Sequence, residues 1–229
     1  ELHERIRKCT AFVATVGVLA LPVIAALDLV LRRRAGQILD AIVGAMRHSP
    51  ALVTRAAHVL RRRPGHPAIE VVMTGGMDNP VDVAFTPTGE RILTSTFVEH
   101  PQAGRRDGLI HAIYGGVYGK PHAVIDGHKR TGDLMPVMCE LGPAVPAGLT
   151  RYTSRAFGAD YQDNFFAAMF NLRKVTRHAL QPDGATFRSR DADFLVSEDR
   201  DFHPTDVVED ADGSLLVVDT GPWYKLCCP

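Results

Sequence analysis

The chain has 229 residues, 45% hydrophobic and 23% charged, a globular balance long enough for one sizeable core or two small ones. Its formal net charge of zero is a cancellation: residues 1–68 carry 11 Lys/Arg against 4 Asp/Glu, and the remainder carries 15 against 22. Four Cys without CxxC or CxxCH spacing exclude a disulfide-stapled scaffold, a Cys-rich zinc site and c-type haem attachment.

The chain opens at Glu1 without a Met and stops at Pro229 just after "WYKLCC", so an excerpt of a longer protein is expected. From Ala11 to Leu27 it is apolar and uncharged, between "RIRK" and "RRR". A bilayer span takes about 20 apolar residues, so Cys9–Leu31 reads as a transmembrane helix that Pro22 would kink. Three rivals stay open: a cleaved signal peptide, a buried helix hairpin turning at Arg32–Arg34, and a stretch of GC-rich gene translated off-frame. Ile38, Ile42, Val43 and Met46 recur at helical period, and after Pro50 a second half-helix is expected to run to Leu60. "RRRPGHP" (Arg61–Pro67) then breaks regular structure, which predicts an N-terminal α-helical segment over 1–63 and a second domain over 64–229. No aromatics interleave with the Arg clusters, so a solvated or lipid-headgroup face is expected there and no nucleic acid.

Beyond Pro67 the pattern turns to strands. "IEVVMTG" (Ile69–Gly75) is a short β-rich run ending at glycine. "NPVDVAFTPTGERILTSTF" (Asn79–Phe97) predicts a hairpin around a Gly-containing turn. "HPTDVVEDADGSLLVVDTG" (His203–Gly221) repeats it: Pro80 matches Pro204, Asp82 matches Asp206, Val83 matches Val207 and Gly89 matches Gly213, all 124 positions apart. A third hairpin of this kind is expected near Ala147, and "PDG" (Pro182–Gly184) is a further turn. Repeats of four short strands predict a mainly β fold, a partial β-propeller of about three blades, with a β-sandwich as the alternative. The repeated Asp82 and Asp206 read as braces of the strand entry, and "EDADGS" as a hairpin turn, since it lacks the full ligand set of a calcium loop. Cys227 and Cys228 read as thiols at a strand end, with a strained vicinal disulfide as the rival.

Between the copies lies an insertion, Glu99–Pro136, rich in Gly and in charged and titratable side chains. Long loops in compact domains are usually functional or disordered, and glycines let backbone approach a ligand. His122 and His128 are candidates for general base or metal ligand, against the reading of solvated loop histidines.

"NPVDVAFTPTGE", "GGVYGKP" (Gly115–Pro121) and "PAGLTRYTSRAFGADYQDNFFAAMF" resemble segments of the soluble glucose/sorbosone quinoprotein dehydrogenases. Residues from about Pro64 to Pro229, with "RDGLIHAIYGGVYGK" and "FHPTDVVEDADGSLLVVDTGPWYKLCCP", resemble the planctomycete-type membrane-bound dehydrogenases more closely. The resemblance implies an exported or periplasmic, membrane-anchored oxidoreductase acting on a sugar or alcohol, with electrons passing to a c-type haem domain outside this chain. It implies pyrroloquinoline quinone as cofactor, with Asn79, Tyr118, Lys120 and Arg130 as candidate contacts. Asp78 stands where the family has an Arg, and an anionic side chain cannot replace guanidinium opposite a carboxylate. The family's catalytic His lies upstream of the part covered. The alternative is therefore a ligand-binding or scaffold module with a degenerate cofactor pocket.

Overall fold

The structure, a computed structural model, describes residues 57–76, 79–96, 106–119, 125 and 129–223. These form 13 strands in four sheets. The first sheet holds β1 (Ala57–Arg62), β2 (Ile69–Gly75) and β6 (Val117–Tyr118), in the order β1-β2-β6, with β6 parallel to β2. The second is an antiparallel run of β3 (Asn79–Phe85), β4 (Arg91–Thr96), β5 (Asp107–His111) and β7 (Cys139–Gly142). The third is an antiparallel meander of β8 (Pro146–Arg151), β9 (Phe165–Met169), β10 (Lys174–Asp183) and β11 (Thr186–Val196). The fourth is the hairpin of β12 (Pro204–Glu209) and β13 (Leu215–Asp219).

Strand alternation explains how these sheets bury both faces. Successive side chains point to opposite sides of a strand. In β9, "FFAAM", Phe165, Ala167 and Met169 join Ile92 and Leu109 of the second sheet in one core. Phe166, on the other face, joins Tyr152, Val175 and, from the fourth sheet, Val207. In the same way Ile92 and Leu93 of β4 face different cores, the second shared with Met73, Ile110 and Tyr118. Polar ties run between the sheets as well. Thr94 donates to the carbonyl of Ala147 at 2.8 Å, and the Asp82 carboxylate accepts from the backbone N–H of Leu149 at 2.8 Å. The Tyr152 hydroxyl donates to the carbonyl of Gly213 at 2.6 Å.

The mainly β content stands, and the partial β-propeller does not. Each of the four sheets is open, and none closes on itself or curls into a propeller. The reason is the range of the signal: the 124-residue repeat sets the register of two hairpins, whereas closure needs pairing between distant edges. Both hairpins do form, are antiparallel, and carry a register shift at the same place, between Pro80 and Val83 and between Pro204 and Asp206. Gly89 (φ 86°) and Gly213 (φ 84°) occupy their turns in the left-handed region that glycine tolerates.

The transmembrane helix expected over Cys9–Leu31, and with it most of the N-terminal helical segment, lies outside the described residues, as do Cys227 and Cys228. Among the described residues there is no α-helix, and no helix is long and apolar enough to cross a membrane. The end of the half-helix expected to reach Leu60 is instead strand β1 from Ala57 onward, which pairs with β2 across the Arg61–Pro67 break, and the rest of that half-helix lies outside the described residues. Arg61 reinforces that pairing through an ion pair with Glu70 at 2.5 Å. Within the Glu99–Pro136 insertion, "DGLIH" is not loop but the wholly buried strand β5. Its Asp107 is neutralised by Arg106 at 3.0 Å and accepts from the N–H of Val145 at 2.7 Å.

Candidate functional site

Among the described residues, a thiol, an imidazole and a carboxylate converge between the second and third sheets. The "PDG" turn joins β10 to β11 and fixes their register, in which His178 stands directly opposite Asp191. Directly opposed residues of an antiparallel pair put their side chains on one face. His178 Nδ1 and Asp191 Oδ1 lie 2.7 Å apart. From β7 of the second sheet, the Cys139 thiol donates to Asp191 Oδ2 at 2.9 Å. Ser189 adds a hydroxyl donor to Asp191 Oδ1. Behind the imidazole, Nε2 meets the Thr176 hydroxyl at 2.8 Å. Cys139 and His178 are buried, and Asp191 reaches solvent.

The electrostatics follow from this packing. Burial pushes the Cys139 thiol far up, and the adjoining Asp191 carboxylate pushes it further. Burial works against the Asp191 charge too, but hydrogen bonds from His178, Cys139 and Ser189 hold its carboxyl down to about 2. A thiol facing a carboxylate is not an activated nucleophile, because thiolate chemistry needs a base or cation beside the sulfur. The trio is therefore an ionised carboxylate, open to solvent on one side, that accepts hydrogen bonds from a thiol and an imidazole.

Beside it opens a cavity of about 390 Å³. Thr176, His178, Asp191 and the ion pair of Lys174 and Asp193 (2.7 Å) line it from one face of the β10–β11 pair, and Met169 and Leu172 supply apolar surface. The volume falls in the range of small-molecule sites.

Of the residues expected to hold a quinone, Asn79 opens β3, exposed and paired with Thr96, and Arg130 is exposed. Tyr118 is buried, its hydroxyl donating to the carbonyl of His111 at 2.5 Å and accepting from the N–H of Ile113 at 3.0 Å. That hydroxyl has no proton left to offer a quinone. None of the three lines the cavity. Lys120, His122, His128 and Asp78 lie outside the described residues. The sequence reading missed Cys139, His178 and Asp191. The hairpin signal was present for two of them, since pairing outward from a tight turn at Gly184 brings residue 178 opposite 191.

A family model described as a domain of unknown function (DUF7133) matches residues 143–227. No curated protein matches. Among solved structures, a Thermus thermophilus protein described as an oxidoreductase (glucose dehydrogenase) is 22% identical, with a TM-score of 0.49, over 70% of this chain and 43% of that one. A structure described as glucose dehydrogenase is 20% identical, with a TM-score of 0.47, over 67% and 44%. A second glucose dehydrogenase is 19% identical, with a TM-score of 0.44, over 67% and 40%. The chain thus spans less than half the length of these structures, and the likeness is distant.

Proposed function

We propose that this chain is the ligand-binding part of an exported, dehydrogenase-like oxidoreductase, and that it takes a sugar or other polyol into the cavity between the second and third sheets. Redox chemistry and electron transfer to a c-type haem domain belong, in this proposal, to parts of the parent protein outside the described residues. The motif resemblance of residues 64–229 supports the oxidoreductase class. The observation that carries the ligand class is the make-up of the cavity wall. A sugar has hydroxyls around its rim and a C–H face, and the cavity offers Lys174, Thr176, Asp191 and Asp193 beside Met169 and Leu172. Binding needs no charge on the ligand, because Lys174 and Asp193 already neutralise each other.

Saturation-transfer NMR and calorimetry with glucose, sorbitol and an uncharged aromatic of equal size test this. Sugars should bind and the aromatic should not. Lys174→Ala should weaken sugar binding about tenfold, the loss of one charge-assisted hydrogen bond. No transfer to any sugar would leave the sheets as a scaffold without this ligand.

A further inference from the structure

We propose that Cys139, His178 and Asp191 form a binding site for a single transition-metal cation, Zn²⁺ by its donor chemistry, with a fourth coordination position open to the adjoining cavity. The three side chains offer one sulfur, one nitrogen and one oxygen donor, all within 4.8 Å of one another. Borderline-soft Zn²⁺ takes this mixture, whereas Ca²⁺ and Mg²⁺ require oxygen throughout.

The geometry needs only a small adjustment. Zinc bonds of about 2.0–2.3 Å give a tetrahedron with edges of roughly 3.3–3.7 Å. The present separations, 2.7 Å for His178 Nδ1 to Asp191 Oδ1 and 2.9 Å for Cys139 Sγ to Asp191 Oδ2, are those of hydrogen bonds. The cation would take the place of two protons, the thiol's and the one shared between Nδ1 and Oδ1. One thiolate and one carboxylate then balance a dication, so the partly buried centre carries no net charge. Asp191, the exposed member, is the group able to swing outward and make room.

The surroundings of His178 suit a ligand. The Thr176 hydroxyl donates to the carbonyl of Ala167 at 3.4 Å, so its oxygen can accept from Nε2–H at 2.8 Å. Once the cation displaces the proton shared with Asp191, an Nε2–H held by Thr176 leaves the Nδ1 lone pair for the metal, as partners behind ligand imidazoles commonly do. His178 has no freedom to turn away, being wholly buried. Three protein ligands with a fourth place facing a cavity is the pattern of a reactive rather than a structural zinc site.

The inference stands apart from the sugar reading, since metal binding requires no sugar. The test is titration of the chelator-treated full chain with Co²⁺ alone. One equivalent should produce tetrahedral visible bands and a thiolate-to-cobalt charge-transfer band in the near-ultraviolet. The band should vanish in Cys139→Ser and survive in the triple variant Cys9→Ser/Cys227→Ser/Cys228→Ser. Thr176→Val should weaken Co²⁺ binding by about tenfold or more. On the unaltered chain, Zn²⁺ should slow alkylation of Cys139, read by peptide mass spectrometry, which needs no variant to fold. Absence of the band, its persistence in Cys139→Ser, or alkylation of Cys139 unchanged by Zn²⁺ would overturn the proposal.

Discussion

The hairpins β3–β4 and β12–β13 are the same local structure in two environments. They share the Pro-x-Asp-Val entry, the left-handed Gly in the turn, the register shift after the Pro and the Asp carboxylate accepting from the next N–H. At one matched cross-strand pair, Ala84 faces Ile92 in the first and Val208 faces Leu216 in the second. Ile92 is 0% exposed and Leu216 is 51% exposed. The difference lies outside the hairpins: the Ile92 face meets the third sheet, and no described element covers Leu216. A hairpin's own sequence sets its shape, and a neighbour sets what its apolar face contributes to stability.

The largest test of that contrast is paired truncation. Ile92→Ala should cost about 2–5 kcal/mol, the transfer loss plus a cavity. Leu216→Ala should stay within about 0.5 kcal/mol, as at other exposed positions. Urea denaturation of the two variants measures both, and equal costs would mean that the Leu216 face is also covered. Next comes the third strand entry, in β8, where Gly148 follows Pro146 by the same two positions as each Asp. A Cβ there would lie 2.0 Å from Asp206 Oδ1 and 2.7 Å from its Cα. Gly148→Ala should therefore destabilise by about 1–3 kcal/mol through overpacking. Asp206→Gly should rescue only part, because the Cα clash remains.

A smaller effect separates the two aspartates. Asp82→Ala strips the N–H of Leu149 of its acceptor and should cost about 1–2 kcal/mol. The hydrogen bond of Asp206 is to its own neighbour, Val207, so Asp206→Ala should cost less in the same urea titration. The smallest effect concerns acid. Because the Asp191 carboxyl is held at about 2, its contribution to stability is full above the ordinary carboxylate range and is lost as pH falls from about 4 toward 2. Asp191→Asn should remove that part of the acid dependence in denaturation midpoints measured between about pH 2 and 6. The partial exposure of the carboxylate keeps the effect modest.

The sequence by itself determined the local elements whose information is local. Pro80, Asp82 and Gly89 wrote one hairpin, and Pro204, Asp206 and Gly213 wrote its copy, because turn chemistry and two-residue alternation act over a few neighbours. The "PDG" turn even fixed the meeting of His178 with Asp191. β5 escaped notice because "DGLIH" sits among glycines and charges, and its burial comes from the flanking strands β4 and β7. Only the tertiary structure decided that the sheets stay open, that Ile92 is buried while Leu216 is not, and that Cys139 reaches Asp191. Cys139 and Asp191 are 52 residues apart and belong to different sheets. Nothing in the spacing of a single chain encodes which of two sheet faces will meet which other sheet. That choice is made by the apolar area both faces can remove from water together.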